Sequence, residues 1–423
     1  MNNRIDSLVK KYSKKGPVIL LESQSEDHPA SKSSYLAALP EAFIEARGNE
    51  IYISKEGQKE EFSQDPWEAL VGFYKEQCGW LFGYLGYDLK NHIERLTSEN
   101  NDTVQAPDLF FMVPGVIIRF SHKDNSCEFI KGTPSDDGEA PSSVDSDLNV
   151  SPLKFSVERD QYLECIKEAK RKISEGDYYE LNLSHQLFAR FEGDPYALYQ
   201  KMREVGPVPF GAYMQKENLS VCSMSPERFL AKQGSRVYSQ PIKGTIHRGV
   251  NETDDRKLRE GLRESLKDRA ENLMIVDLVR NDLSRIARKG SVEVSELFQI
   301  QTFGTVHQMV STVEAEAETE DPIEIIKACY PMGSMTGAPK ISAMKSIEEL
   351  ENYRRGIYSG AIGYLDPKGD FDFNVVIRTA IISGSNLFYS VGGAITGDSD
   401  PEQEWEETLV KARALTKVLD ESV

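Results

Sequence analysis

The sequence predicts an α+β fold, and three observations carry the prediction. Short apolar or alternating runs recur along the whole chain, several helical patterns lie among them, and the two do not alternate strictly as parallel βαβ units would. A chain of 423 residues, 39% hydrophobic and 28% charged, can bury a sizeable core as one large or two ordinary domains.

Near the N-terminus "PVILLES" (17–23) and, further on, "DLFFMVPGVIIRF" (108–120) are apolar runs that read as buried strands. Between them "CGWLFGYLGYDL" (78–89) is aromatic and punctuated by glycine, which marks a strand closely approached by another backbone. The stretch "KGTPSDDGEAPSSVDSDLNVSPL" (131–153) is rich in Ser, Asp, Gly and Pro without apolar period. It predicts a linker or exposed loop over 131–154, separating an N-terminal region 1–130, packed onto the remainder, from a catalytic region 155–423.

After the linker, Tyr162, Ile166 and Ile173 share one helix face, and Gly176 suits a helix C-terminus. "DYYELNLSHQLFARF" (177–191), "FGAYMQ" (210–215) and "SVCSMSPERFL" (220–230) read as strands. Leu258, Leu262, Leu266 and Leu273 are near-periodic and predict one long helix ending around Gly290. "GAIGYLDPKGDFDFNVVIRTAIIS" (360–383) alternates like a hairpin with its turn at Asp366–Gly369. "NLFYSVGGAITG" (386–397) predicts a last strand running into a glycine turn. A closing helix follows, with Asp400 as N-cap and Pro401 in its first turn.

Composition excludes several functions. A net charge of −18 disfavours nucleic acid and anionic membranes as partners. No apolar run reaches the ~20 residues of a spanning helix, and "MNNRIDSLVKKYSKKG" lacks an apolar signal core. The five cysteines are scattered with no CxxC pair, which argues against a disulfide framework or zinc site and for a reducing cytoplasm.

Two helices carry acid pairs three residues apart, Asp268 with Glu271 and Glu404 with Glu407, and that spacing puts each pair on one face. If the helices faced each other the four carboxylates could share Mg²⁺, a hard cation that prefers oxygen. Spacing alone leaves a solvated face as the alternative. "GGAITGDSDPE" (392–402) runs from a strand into a helix start, where free amides bind anions; no GxxxxGK[ST] phosphate loop is present. One lysine, Lys243 in "QPIKGTIHRG", sits between a proline and a Gly-Thr turn.

Taken in order, "SPERF", "PIKGT", "RAENLMIVDLVRNDLSRI", "TVHQMVS", "GSMTGAPK", "RRGIYSGAIGY", "NVVIRT" and "GGAITGDSDPEQEWEET" resemble the chorismate-utilising family. That family contains the first components of anthranilate and aminodeoxychorismate synthases and the isochorismate and salicylate synthases. The motifs cover about 155–420, and "LLES" and "DHPASKSSYLAALP" extend the resemblance over nearly the whole chain. It implies large antiparallel sheets packed in a sandwich with helices outside. It also implies a Mg²⁺ cofactor, chorismate and ammonia as substrates, and a separate glutamine amidotransferase subunit, because the chain has no room for a fused glutaminase.

The resemblance assigns roles as well. Members that aminate chorismate at C4 carry lysine where anthranilate synthases carry alanine, so Lys243 is implied as a nucleophile at C2, giving 4-amino-4-deoxychorismate. It would have to be neutral, favoured by desolvation, Mg²⁺, His247 or Arg248, and opposed by a nearby carboxylate. Glu227 matches the acid/base at the C4 hydroxyl, with an ion pair to Arg228 as the alternative. Glu271 and Glu407 match direct metal ligands, and Glu404 and Asp268 outer ones. Tyr358 and Arg378 match residues gripping the enolpyruvyl carboxylate. Gly392 and Gly393 would supply turn amides, and Thr336 and His307 would line the pocket. The segment Leu20–Ser23 matches part of the tryptophan feedback site of anthranilate synthases, marking Glu22 and Ser23 as tryptophan contacts. The alternatives to C4 amination are anthranilate synthesis and a non-catalytic chorismate-binding subunit.

Overall fold

A computed structural model describes residues 2–24, 32–133, 148–303 and 306–419. Residues 134–147, most of the expected linker, lie outside the described residues. Long strands pair antiparallel throughout. Val18–Glu22 lies between Ser33–Arg47 and Phe210–Lys216, so the first third of the chain and the rest share one sheet. The strand Glu180–Glu192 runs beside Asn386–Ile395 from Leu181 to Arg190. Leu81–Leu85 joins Leu109–Ser121 to Ala361–Leu365. A Cβ on Gly83 would come 1.9 Å from the Phe110 carbonyl oxygen, which is the close backbone approach that the glycine-punctuated sequence predicts.

The sandwich interior is apolar from both halves: Ile19, Ala37, Phe82, Met112, Val221 and Ile381 meet in one cluster. Helices cover the outer faces. Pro66–Gln77, Leu266–Ser284 and Pro322–Cys329 pack Trp67, Phe73, Ile275, Val279 and Ile326 on one side. Asn2–Ser13, Pro195–Val205 and Pro401–Thr416 pack Ile5, Val9, Met202, Ala412 and Leu415 on another. Each of the larger aliphatic and phenyl side chains among them contributes on the order of 1.5–3 kcal/mol. Among the described residues no helix is long and apolar enough to cross a membrane.

Local signals act as their chemistry requires. Asp400 accepts the Gln403 amide at 3.0 Å ahead of Pro401. Gly176 ends its helix at φ 91°. The Asp366 carbonyl accepts the Gly369 amide at 3.1 Å to close the hairpin turn. The expected single helix over Leu258–Gly290 is instead two, Glu252–Glu264 and Leu266–Ser284. Ser265, at ψ 114°, ends the first, and its hydroxyl accepts the Asp268 amide to cap the second. The break resets the helical phase. Leu266 and Leu273 are therefore exposed, and Asn272, Ile275, Val276, Val279 and Leu283 form the buried face.

Candidate active site

Lys243 lies in the short strand Ile242–His247, whose pairing with Val306–Glu316 shifts register between Ile242 and Thr245. Such a bulge re-aims the side chain it encloses. Gly244 follows at φ 84°, and the space its missing Cβ would fill is taken by the Asp268 carboxylate, 2.8 Å away. The glycine thus lets the first turn of Leu266–Ser284 dock against the lysine's backbone.

The Lys243 side chain is 11% exposed and donates to Glu180 Oε1 at 2.6 Å. Burial alone favours the neutral amine. The Glu180 ion pair, with Glu271 and Glu227 acting through space, outweighs it and raises the lysine's proton affinity. Of the groups expected to favour the neutral form, Arg248 is committed to Asp255 at 2.7 and 2.9 Å and His247 is exposed, while the expected opposition of a nearby carboxylate comes from Glu180, which holds the resting lysine as an ammonium.

Glu227 is buried, and burial pushes its carboxyl up to about 7 against the opposing effects of a Ser334 hydrogen bond, Lys243 and Arg378. It is not Arg228's partner. That guanidinium grips Asp372 at 2.9 and 2.8 Å and lies over the rings of Phe210 and Tyr238. Glu227 can therefore hold a proton near neutrality and donate it, as a general acid must.

Arg378 sits at φ 51°, a strained conformation for a side-chain-bearing residue. Burial lowers its proton affinity, while Tyr389 and Glu227 counter this through space. Its guanidinium forms no hydrogen bond or ion pair among the described residues, so its donors are free for an anion. Arg378→Ala is expected to raise KM for a dicarboxylate substrate roughly 10- to 150-fold, the loss of one charge-assisted contact. The melting temperature should barely move, because no internal pair is broken; steady-state kinetics beside thermal melts check both. Tyr358 is buried, with its hydroxyl held up to about 12 mainly by burial, and it neighbours Ser184 and Arg355. Ser184 Oγ in turn meets Glu351 Oε1 at 2.7 Å, and Glu351 pairs with Arg355 at 2.6 Å.

Other expected contacts are placed differently. Gly392 and Gly393 lie within the strand Asn386–Ile395 opposite Ser184 and Leu183, and the turn comes only after Ile395. A Cβ on Gly392 would meet the Leu183 carbonyl oxygen at 2.4 Å, so close strand packing requires this glycine. His307 is buried with both ring nitrogens used, Nδ1 on Thr302 at 2.9 Å and Nε2 on Asp255 at 3.0 Å. It is an anchor between strand and helix rather than a substrate contact. The Thr336 hydroxyl donates back into its own turn, at 3.3 Å to the Met332 and 3.2 Å to the Gly333 carbonyl. Glu22 is spoken for by Arg203 at 2.9 Å and Tyr199 at 2.7 Å, and Ser23 Oγ donates to Pro209 O at 2.9 Å. The chain's own groups thus satisfy both residues expected to contact tryptophan.

The two acid pairs do approach the lysine. Glu404 Oε2 and Glu407 Oε1 lie 3.2 and 3.6 Å from the point a Gly393 Cβ would occupy, so that glycine leaves a cradle for both carboxylates. Burial raises Glu271 and Glu404, which Asp268 and Glu407 respectively push further up. In Glu407 burial is overridden by Lys411, 2.7 Å away, and Lys243 also acts on it. Lys267, on the first acidic helix, acts on Glu271, Glu404 and Glu407 alike, so the two pairs share one neighbourhood. Among the described residues no three His, Cys, Asp or Glu side chains already stand in a metal-binding cluster. The all-oxygen donor set and the Gly393 cradle nonetheless fit a hard divalent cation.

Sequence reasoning missed Glu180 altogether. Its signal was the polar alternation Glu180, Asn182, Ser184, Gln186 against Leu181, Leu183 and Leu187 in a strand whose opening residues are all buried.

Comparison with known proteins agrees with this architecture. The sequence profile of the chorismate binding enzymes matches residues 16–417. Component 1 of aminodeoxychorismate synthase from Escherichia coli (strain K12) is 32% identical over 95% of this chain and 93% of that protein. Aminodeoxychorismate synthase of Streptomyces griseus is 47% identical over 64% of this chain, a match spanning 38% of that longer protein. Among solved structures, anthranilate synthase component I from Streptococcus pneumoniae TIGR4 superposes with a TM-score of 0.80 at 28% identity, covering 92% of this chain and 93% of that one. The bulged lysine strand, the buried acid and the paired carboxylates are therefore features of a member of the chorismate binding enzyme family, to which this chain belongs.

Proposed function

We propose that this chain is the synthase component that aminates chorismate at C4 to give 4-amino-4-deoxychorismate, the precursor of 4-aminobenzoate in folate biosynthesis. The observation that carries the reading is three complementary groups close enough to act through space on the middle one: a lysine, a carboxyl that keeps its proton near neutrality, and a guanidinium without a hydrogen bond or ion pair among the described residues. Chorismate is a dicarboxylate with a poor leaving group, hydroxide, and it needs all three. Arg378, together with Tyr358, binds one carboxylate. Glu227 gives its proton to the departing C4 hydroxyl. The Lys243 amine bonds C2, the diene electrons shift toward C4, and the C4–O bond breaks with loss of water. Ammonia then enters at C4 and the lysine leaves.

Glu271 and Glu407, with Glu404 and Asp268 around them, would hold Mg²⁺, which when bound supplies the positive charge that the ring carboxylate requires in a protein of net charge −18. Ammonia would come from a separate glutamine amidotransferase subunit in the cytoplasm. Lys243 disfavours anthranilate synthesis, because a side chain bonded at C2 blocks amination there. It also disfavours a purely binding subunit, which needs neither nucleophile nor acid.

Purified protein given chorismate, Mg²⁺ and ammonium is expected to form aminodeoxychorismate without pyruvate, and to stop in EDTA. Mass spectrometry of the products checks this. Anthranilate with equimolar pyruvate would reject the assignment.

A further inference from the structure

The lysine's partner offers a second function. Glu180 is 1% exposed at the start of the strand Glu180–Glu192. Its backbone is pinned by Gly337, whose absent Cβ would sit 2.1 Å from the Glu180 carbonyl oxygen. One carboxylate oxygen holds Lys243 Nζ at 2.6 Å, and the other, Oε2, is buried without a partner among the described residues. Two residues on, and so on the same face of the strand, Asn182 Oδ1 is also buried and unpartnered, although its amide nitrogen donates to Ser334 O at 3.4 Å. The strand face that meets the lysine therefore carries two acceptor atoms that lack donors among the described residues, a state that costs free energy unless a ligand supplies N–H or O–H groups.

The lysine head group indicates which ligand. An ammonium on Glu180 is what Lys243 presents in the resting protein, and NH₄⁺ has the same charge and the same donors. When Nζ moves to bond carbon, Glu180 loses its counter-ion, and a buried carboxyl without one is strongly disfavoured as an anion. Glu180 therefore keeps the proton that Nζ gives up, and ammonia, a stronger base than water, can take it up as an ammonium–carboxylate pair. We propose that Glu180, with Asn182, forms the site that binds the ammonia nucleophile, exchanging the lysine ammonium for a free one during turnover. This rests on Lys243 acting as the nucleophile.

The proton inventory closes. Nζ passes one proton to Glu180 and its lone pair forms the C2–N bond, while Glu227 protonates the departing hydroxyl. Ammonia arrives at the Glu180 carboxyl and shares that proton as an ammonium–carboxylate pair. The proton returns to Glu180 as the nitrogen lone pair bonds C4 and the C2–N electron pair goes back to lysine. Glu180 then reprotonates Lys243, and the new C4 ammonium returns a proton to Glu227. Other charges facing Nζ, those of Glu271, Glu227 and Glu407, act only through space.

The test is Glu180→Gln with ammonium chloride as nitrogen source. KM for ammonium is expected to rise roughly tenfold or more, the loss of a charged hydrogen bond, while KM for chorismate stays near its original value. Intact-protein mass spectrometry without ammonia should detect the covalent chorismate adduct on Lys243 in the unaltered protein, and also in Glu180→Gln, where no carboxylate holds the lysine's proton and burial favours the neutral amine from the start. Should Glu180→Gln fail to fold, Glu180→Asp keeps the charge but withdraws it by one methylene, and a smaller rise confined to the ammonium KM is expected. An unchanged ammonium KM with the adduct present overturns the Glu180 site alone. No adduct in the unaltered protein overturns the lysine reading beneath it.

Discussion

Lys243→Ala is expected to slow amination at C4 by at least roughly a thousandfold, since removal of a covalent nucleophile costs more than any single positioning contact. The variant also strands Glu180, and breaking a buried ion pair costs about 3–5 kcal/mol. The double variant Lys243→Ala/Glu180→Gln removes both charges, and its melting temperature should recover while turnover does not. Rate assays and thermal melts of the two variants therefore separate chemistry from folding. A Lys243→Ala enzyme that aminates chorismate at the original rate would remove the lysine from the mechanism.

Glu227→Gln comes next, with an expected loss of roughly 10²- to 10⁴-fold in kcat, the usual worth of a placed general acid. The sign of the pH dependence follows from its carboxyl at about 7. The protonated form does the work, so kcat/KM of the unaltered protein should fall as pH rises through about 7, and that limb should vanish in the variant. Stability moves the same way. The folded carboxyl binds its proton more tightly than an unfolded glutamate at about 4.3, so its contribution is complete below about 4 and is lost as pH rises through about 7. Glutamine cannot titrate, and melting curves between these limits should be flatter for the variant. A pH–rate profile identical in the two proteins would assign the acid elsewhere.

Much of the site was legible because its chemistry depends on residue type at a spacing. Glu404 and Glu407, three apart on one helix, cannot help sharing a face, and Gly244 beside Lys243 announced an unusual backbone. Glu227 was legible as an acid, but its altered proton affinity was not, since only burial produces it. His307 misled for a related reason. A buried histidine and a pocket histidine look alike in sequence, and Thr302 and Asp255 decide between them. The Leu258–Leu273 period likewise continued across Ser265, although a single capping hydroxyl was enough to end one helix and begin another.

The sequence by itself determined several of the strands and the closing helix, the caps at Asp400 and Gly176, the close approach at Gly83 and the acid pairs at helical spacing. Each follows from local stereochemistry. Only the tertiary structure decided what meets Lys243. The run Glu180–Leu187 alternates polar and apolar, a pattern that in a sheet with one wet face would put Glu180 in water. Here both faces are covered, so the polar face becomes a pocket wall and a carboxylate is buried against an amine 63 residues away. Periodicity tells which side chains share a side; what lies opposite is set by packing between distant segments.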